Sequence, residues 1–252
     1  MSSDRTLYTY PNRNLLEEPE YYMYSAFGGT VFLCDYVESR EQSIDLFEER
    51  YQALLRNGSL LATIKCDLAW LFIWRLLSRL MIDYFSPTSQ AFHAALGEEL
   101  DKVEEADEST YVVSELETLE RISTQLVLST LLAAAINPVT EQDDTVYRWL
   151  SRFLKRFEVE KRLYVAYTPE MRSASSDFAI LANYALLSIV LLHYYQHTSN
   201  LKMLNGAVKL NDLLCSRQTE LDQPKDLFLT VIALRYELDS IKHFATAKGV
   251  EF

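Results

Sequence analysis

Two histidines four residues apart have the spacing of a pair of metal ligands. His193 and His197 fall on one face of a predicted helix, and imidazole is a common ligand of zinc. Residue 194 is Tyr rather than the Glu of a His-Glu-x-x-His metalloprotease, and no third ligand follows at a fixed spacing. The pair leaves half of the coordination shell unspecified, so we predict no metal site here.

A second segment with possible metal chemistry runs from Asn211 to Glu220 and reads Asn-Asp-Leu-Leu-Cys-Ser-Arg-Gln-Thr-Glu. It resembles the second magnesium motif of class I terpene synthases, which holds Mg²⁺ and a diphosphate on one helical face. Cys215 stands at the hydroxyl position, Glu220 comes one residue late, and no upstream segment supplies the partner carboxylate cluster. We therefore predict no cofactor, and we interpret Asn211 and Asp212 as polar positions of an amphipathic helix.

Basic residues form a stripe along the predicted helix that precedes residue 164. The spacing of three and four residues puts its first four members on one side of the helix, and Lys161 and Arg162 continue it. Such a stripe predicts either a docking site for an acidic partner or phosphate, or a solvated helix face, and the solvated face is the commoner case. The four residues are Arg148, Arg152, Lys155 and Arg156.

A strongly acidic patch covers residues 98–108. It suits docking to a basic protein surface or mimicry of nucleic-acid phosphates, and a solvated helix end is the simplest interpretation. The candidate partner-binding residues in this patch are Glu98, Glu99, Asp101, Glu104 and Glu105.

Tyrosines are concentrated at the N-terminus, where six of the 16 lie in the first 36 residues. Tyrosine supplies amphipathic contact area and is enriched at interfaces. Tyr21, Tyr22 and Tyr24 are therefore candidate partner-binding residues, although an arm packed over its own core would bury the same rings.

The bulk composition limits the class of protein. The 252 residues are 49% hydrophobic and 24% charged, with only 6 Gly and 6 Pro, which is typical of a folded helical chain rather than a disordered or turn-rich one. The net charge of −12 excludes a uniformly basic nucleic-acid binder, although the 148–162 stripe could still make a local contact. No apolar run has the length and the lack of charge of a membrane span. With no signal peptide and three scattered cysteines, we expect a cytoplasmic protein.

The elements that must position these residues are predicted to be helical. Apolar residues recur at helical spacing over 43–57, 59–85, 114–136, 142–164, 176–197, 201–216 and 224–245. A further helix is predicted to start at Ser86-Pro87 and to run into the acidic patch. We expect an all-α fold of eight or nine helices, either an antiparallel bundle or a short helical-repeat-like stack. The turn between the helices at 176–197 and 201–216 resembles the helix–turn–helix units of tetratricopeptide-like arrays and (α/α) toroid enzymes.

We divide the chain into a Tyr-rich irregular arm (1–40), a helical domain around a central apolar helix at 59–85 (41–170), and a C-terminal three-helix unit on the same core (171–252). The first functional hypothesis is a non-enzymatic adaptor or complex subunit that binds another protein through the arm and the acidic patch. The alternatives are an α-helical enzyme with an interhelical pocket near His193, or an acidic inhibitor that mimics nucleic acid. Candidate residues for the enzyme are Tyr184, His193, Tyr194 and Asp212.

Overall fold

The structure is a computed structural model and describes residues 30–56, 73, 121–136 and 143–247. Within these ranges 79% of the residues are helical, which confirms the predicted all-α class. The predicted total of eight or nine helices depends on segments outside the described residues. The six described helices are α1 (Thr30–Arg56), α2 (Thr124–Ile136), α3 (Asp143–Glu160), α4 (Leu181–Thr198), α5 (Leu201–Ser216) and α6 (Pro224–Ala247).

Helix α4 lies at the centre of the described fold. Every residue from Leu181 to Tyr195 is buried, so this helix is enclosed on all sides rather than on one stripe. Helices α2, α5 and α6 all pack against it. The sequence assigns the central position to 59–85, which lies outside the described residues except for Ile73, a helical and fully buried side chain.

Helices α4 and α5 form an antiparallel hairpin with a two-residue turn. Ser199 ends α4 in the left-handed region, with φ of 55°. Asn200 then caps α5, because its side chain accepts a hydrogen bond of 3.1 Å from the backbone N–H of Lys202. These two residues explain why the predicted helix at 201–216 matches the observed one.

Helix α6 runs parallel to α4. At its start, Asp226 Oδ1 accepts a hydrogen bond of 3.2 Å from the backbone N–H of Ala182. Further along, the rings of His193 and Tyr236 have centroids 4.8 Å apart. The C-terminal ends of α4 and α6 therefore lie at the same end of the fold.

Helix α1 packs antiparallel on α6, joined by ion pairs of Glu41 with Lys242 and of Glu48 with Arg235. The sequence predicts that this helix starts with Ser43 as its cap. Instead the helix begins at Thr30, and the internal Ser43 donates its hydroxyl to the carbonyl of Ser39 at 3.0 Å. Residues 30–40, assigned above to an irregular arm, are helical.

A short β-ladder replaces part of the predicted 114–136 helix. Strand β1 (Ile122–Ser123) pairs antiparallel with strand β2 (Ala166–Tyr167), with Ile122 opposite Tyr167. Helix α2 starts only at Thr124, whose hydroxyl donates to the carbonyl of Tyr164 at 2.5 Å. Two-residue strands show no alternation, so the sequence pattern could not reveal them.

Helix α3 presents the apolar face that the sequence predicts. Trp149, Phe153 and Phe157 are all buried. The helix ends at Glu160 rather than near residue 164, and Lys161 has a φ of 56°. The chain then continues as the 161–180 loop. None of the described helices combines the length and the apolar character needed to cross a bilayer.

Candidate functional site

The 161–180 loop folds back on itself as two antiparallel arms. Val165 donates its N–H to the carbonyl of Asp177 at 3.0 Å, and Ala179 donates to the carbonyl of Leu163 at 2.8 Å. Tyr164 therefore lies opposite Phe178. Because side chains alternate along extended chains, the buried pair Leu163 and Ala179 points to the core and the next residues point to the other side.

The outward side of these arms carries the loop face, defined as Arg162, Tyr164, Phe178 and Ile180. The rings of Tyr164 and Phe178 have centroids 5.5 Å apart, and the guanidinium carbon of Arg162 lies 4.3 Å from the centroid of the Phe178 ring. Phe178 is nevertheless 50% exposed and Ile180 is 43% exposed. An aromatic ring stacked under an arginine in contact with water is the kind of group that dominates protein interfaces.

Exposed apolar side chains are concentrated in this region. Among the described residues, four of the five large hydrophobic side chains that are exposed fall between residues 159 and 180, and the fifth is Leu46 on α1. Single exposed apolar residues are normal, whereas a contiguous patch of them marks an interaction site. The four are Val159, Val165, Phe178 and Ile180. Phe178 and Ile180 share the loop face, whereas Val159 lies on α3 and Val165 lies on the opposite side of its arm.

Two members of the basic stripe hold the loop in place. Arg152 Nη1 donates to the carbonyl of Pro169 at 3.1 Å, and Arg156 Nε donates to the carbonyl of Met171 at 2.7 Å. Arg156 also pairs with Glu160 at 2.6 Å. These contacts give Arg152 and Arg156 a structural role, because they hold the loop at Pro169 and Met171.

The other two members of the stripe point away from the loop anchors. Arg148 is exposed and donates to Thr145 Oγ1 at 3.2 Å, and Lys155 is exposed. Residues 145–180 contain seven basic and four acidic side chains, a net charge of +3 within a chain of −12. The segment that carries the loop face is therefore locally basic.

The remaining predicted partner-binding residues lie outside the described residues. They are Tyr21, Tyr22 and Tyr24 of the arm and Glu98, Glu99, Asp101, Glu104 and Glu105 of the acidic patch. Of the N-terminal tyrosines, Tyr36 is described, and it is buried on helix α1.

A buried polar cluster that the sequence analysis missed joins α1 to α5 and α6. Arg40 Nη2 lies 2.5 Å from Asp212 Oδ1 and 3.2 Å from Glu237 Oε1. The Tyr36 hydroxyl accepts from Arg40 and donates to Glu237. Arg40 Nη1 also contacts Cys215 Sγ at 2.8 Å. The Arg40 guanidinium thus contacts two carboxylates, Asp212 and Glu237, that lie on different helices.

Two polar residues of the segment that resembles a magnesium motif belong to this cluster, and a third does not. Asn211 donates to Glu237 Oε2 at 2.6 Å, while Asp212 is held by Arg40 and Glu220 is exposed in a 3₁₀ turn. These three side chains do not share one open face. Within the described ranges, no three histidine, cysteine or carboxylate side chains are arranged to hold a metal ion.

Burial shifts the pKa values of the acids and of the histidine in opposite directions. Burial raises the pKa of Asp212 to about 7, although Arg40 opposes the shift; the side chain keeps 31% exposure, so water can reach it. Burial also raises the pKa of Glu237. In contrast, burial lowers the pKa of His193 to about 4, because the charged imidazolium is disfavoured there.

The four candidate residues of the enzyme hypothesis are dispersed. Tyr184 accepts a hydrogen bond of 2.8 Å from the N–H of Leu163 near the start of α4, about 14 Å along the helix from His193. His193 packs on Tyr236, whereas Asp212 belongs to the Arg40 cluster. His193 is buried and His197 is exposed, so the two histidines do not face a common ligand. A cleft of about 360 Å³ lies nearby, but its described wall includes none of the four candidates.

The loop face could not be found from sequence. The sequence analysis includes Arg162 in the basic stripe. The sequence around Phe178, however, does not indicate that its side chain is exposed. A scan against models of protein families gave no match, and searches of curated proteins and of solved structures gave none either.

Proposed function

We propose that this chain is a non-enzymatic helical interaction protein, an adaptor or subunit of a larger complex, which binds an acidic protein partner through the loop face. The observation that carries the proposal is the exposure of Phe178 and Ile180 on a loop that is already fixed. A preformed site loses less conformational entropy on binding than a flexible one.

The chemistry of the loop face supports this type of partner. Phe178 and Ile180 offer apolar contact area, and Tyr164 offers a ring with a polar end. Arg162 stacks on Phe178 and can also form bidentate hydrogen bonds with a carboxylate. Acidic groups around an apolar anchor would therefore complement the net positive charge of residues 145–180.

The arm and the acidic patch extend the proposal. We keep them as additional contacts for a basic protein surface, with a cytoplasmic location, on the sequence arguments given above. Neutralising residues 98–108 without any change in partner binding would remove the patch from the proposal.

Site-specific photo-crosslinking tests the loop face. A photoreactive phenylalanine analogue replaces Phe178 in one sample and Leu46, the exposed apolar residue of α1, in a matched sample. Extract from the native source is added, and crosslinked peptides are sequenced by mass spectrometry. We expect one protein to crosslink from position 178 through a segment rich in Asp and Glu, and not from position 46. Equal crosslinking from both positions, or crosslinking only to a second copy of this chain, would contradict the proposal.

A further inference from the structure

A cleft lies between the C-terminal end of α4 and residues 239–243 of α6. Its volume is about 360 Å³, at the lower end of the range of about 300–1,000 Å³ for small-molecule sites. The described wall shares no residue with the loop face. It consists of Tyr195, Gln196, Ser199, Asp239, Ser240 and His243.

One residue of this wall has an unused hydrogen-bonding group. Ser240 is only 2% exposed, and its hydroxyl has no hydrogen-bond partner among the described residues. A buried hydroxyl without a partner costs about 1–3 kcal/mol, so a ligand that supplies the partner gains that free energy. Because Ser240 forms part of the wall, a molecule in the cleft can supply the missing partner.

The electrostatics of the cleft favour a positive ligand. The C-terminal end of α4 forms part of the wall, so the negative end of its helix dipole lies at the cleft. Residues 195–198 are the last turn of α4, where the dipole acts most strongly. Asp239 adds a carboxylate, and the described wall contains one basic side chain, His243, and neither Lys nor Arg.

We infer that this cleft binds a small organic cation with a primary ammonium group, of the class of short diamines and amino alcohols. An ammonium group has three donors and no acceptor, which matches the Asp239 carboxylate and the carbonyl-rich end of α4. The second polar group of the ligand would reach the Ser240 hydroxyl.

Three four-carbon probes separate charge from shape. 1,4-Diaminobutane carries two ammonium groups, 1,4-butanediol is the neutral counterpart, and butanedioate is the anionic one. Each is titrated into isotope-labelled protein at about 0.15 M salt, which screens weak attraction to the acidic surface. We expect saturable shifts of amide signals at 195–199 and 239–243 with the diamine alone. Shifts of equal size with the diol, or diamine shifts spread over acidic surfaces elsewhere, would overturn the inference.

A pair of isosteric variants completes the test. Asp239→Asn removes the charge from the wall, and we expect it to weaken diamine binding about fivefold, the upper range for an exposed ion pair. Asp45→Asn makes the same change at an exposed position of α1 and should leave the affinity unchanged. Unchanged affinity in Asp239→Asn, with the fold intact by circular dichroism, would also overturn the inference.

Discussion

Arg40 and Asp212 join helices α1 and α5 through a contact of 2.5 Å between Nη2 and Oδ1. Arg40 is only 4% exposed and also contacts the fully buried Glu237 of α6. A buried ion pair adds little net stability over well-packed apolar residues, but removing one partner leaves an uncompensated buried charge. The cluster therefore fixes the position of α1 on the C-terminal helices.

Substitution of Arg40 tests this role. Arg40→Met keeps a long apolar side chain but leaves Glu237 and Asp212 without their cation. We expect the free energy of unfolding to fall by about 3–5 kcal/mol, the usual cost of breaking a buried pair, as measured by urea denaturation. Lys242→Met removes an exposed pair between α6 and α1 instead and should cost about 0–1 kcal/mol. Equal losses in the two variants would argue against a special role for Arg40.

The partly buried carboxylate of Asp212 makes stability depend on pH. Its pKa is raised from 3.8 to about 7, so the folded chain keeps a proton that the unfolded chain loses. This contribution to stability is fully present below about pH 4 and is lost as the pH rises to 7. In urea denaturation at pH 5 and pH 8, we expect the free energy of unfolding of Asp212→Asn to fall less between the two pH values than that of the wild type. Asp45→Asn, on the exposed side of α1, should follow the wild type, and a parallel decline in Asp212→Asn would disprove the assignment.

His193 gives a dependence of the opposite sign. Its pKa is lowered from 6.5 to about 4, so its contribution to stability is present above pH 6.5 and lost as the pH falls towards 4. His193→Phe keeps a ring against Tyr236. This variant should lose less stability than the wild type between pH 7 and pH 4.5, whereas the exposed control His243→Gln should behave as the wild type. If His193→Phe loses as much stability as the wild type over this pH range, other groups cause the loss.

The close approach of α5 to α3 depends on Gly206. A Cβ atom at this position would lie 2.5 Å from Leu154 Cδ2. Overpacking costs about 1–3 kcal/mol, while replacing a helical glycine by alanine gains about 1 kcal/mol. We expect Gly206→Ala to lower the free energy of unfolding by about 1 kcal/mol overall.

A double-mutant cycle with Leu154→Ala isolates that contact. Because Leu154→Ala makes room for the new methyl group, Gly206→Ala should become neutral or stabilising in its presence. Additive losses in the cycle would show that the strain does not come from the contact between residues 206 and 154.

The sequence predicts elements well where local chemistry sets their ends. Asn200 caps α5 through its own side chain, so the start of this helix at Leu201 can be read from the sequence. Ser43 offers the same type of signal, yet it is internal to α1, because the residues before it also pack on α6. Tertiary contacts override such a signal, and a single chain does not reveal them.

The spacing of apolar residues around Arg40 indicates from sequence alone that this arginine is buried. Tyr36, Arg40, Ile44, Phe47 and Tyr51 follow each other at spacings of four, four, three and four residues, which puts Arg40 in the middle of an apolar stripe. A charge at that position predicts a buried partner. The identity of the partners, Asp212 and Glu237, depends on how α5 and α6 pack and could not be predicted.

The most direct test of the proposed function is the affinity of the crosslinked partner for two alanine variants. Phe178→Ala removes the central ring of the loop face, while Leu46→Ala removes an apolar side chain of similar exposure on α1. Isothermal titration should show that Phe178→Ala weakens binding by about tenfold or more, as expected for an interface hot spot, and that Leu46→Ala leaves it unchanged. Equal affinities of the wild type and Phe178→Ala would contradict the proposal that the loop face binds the partner.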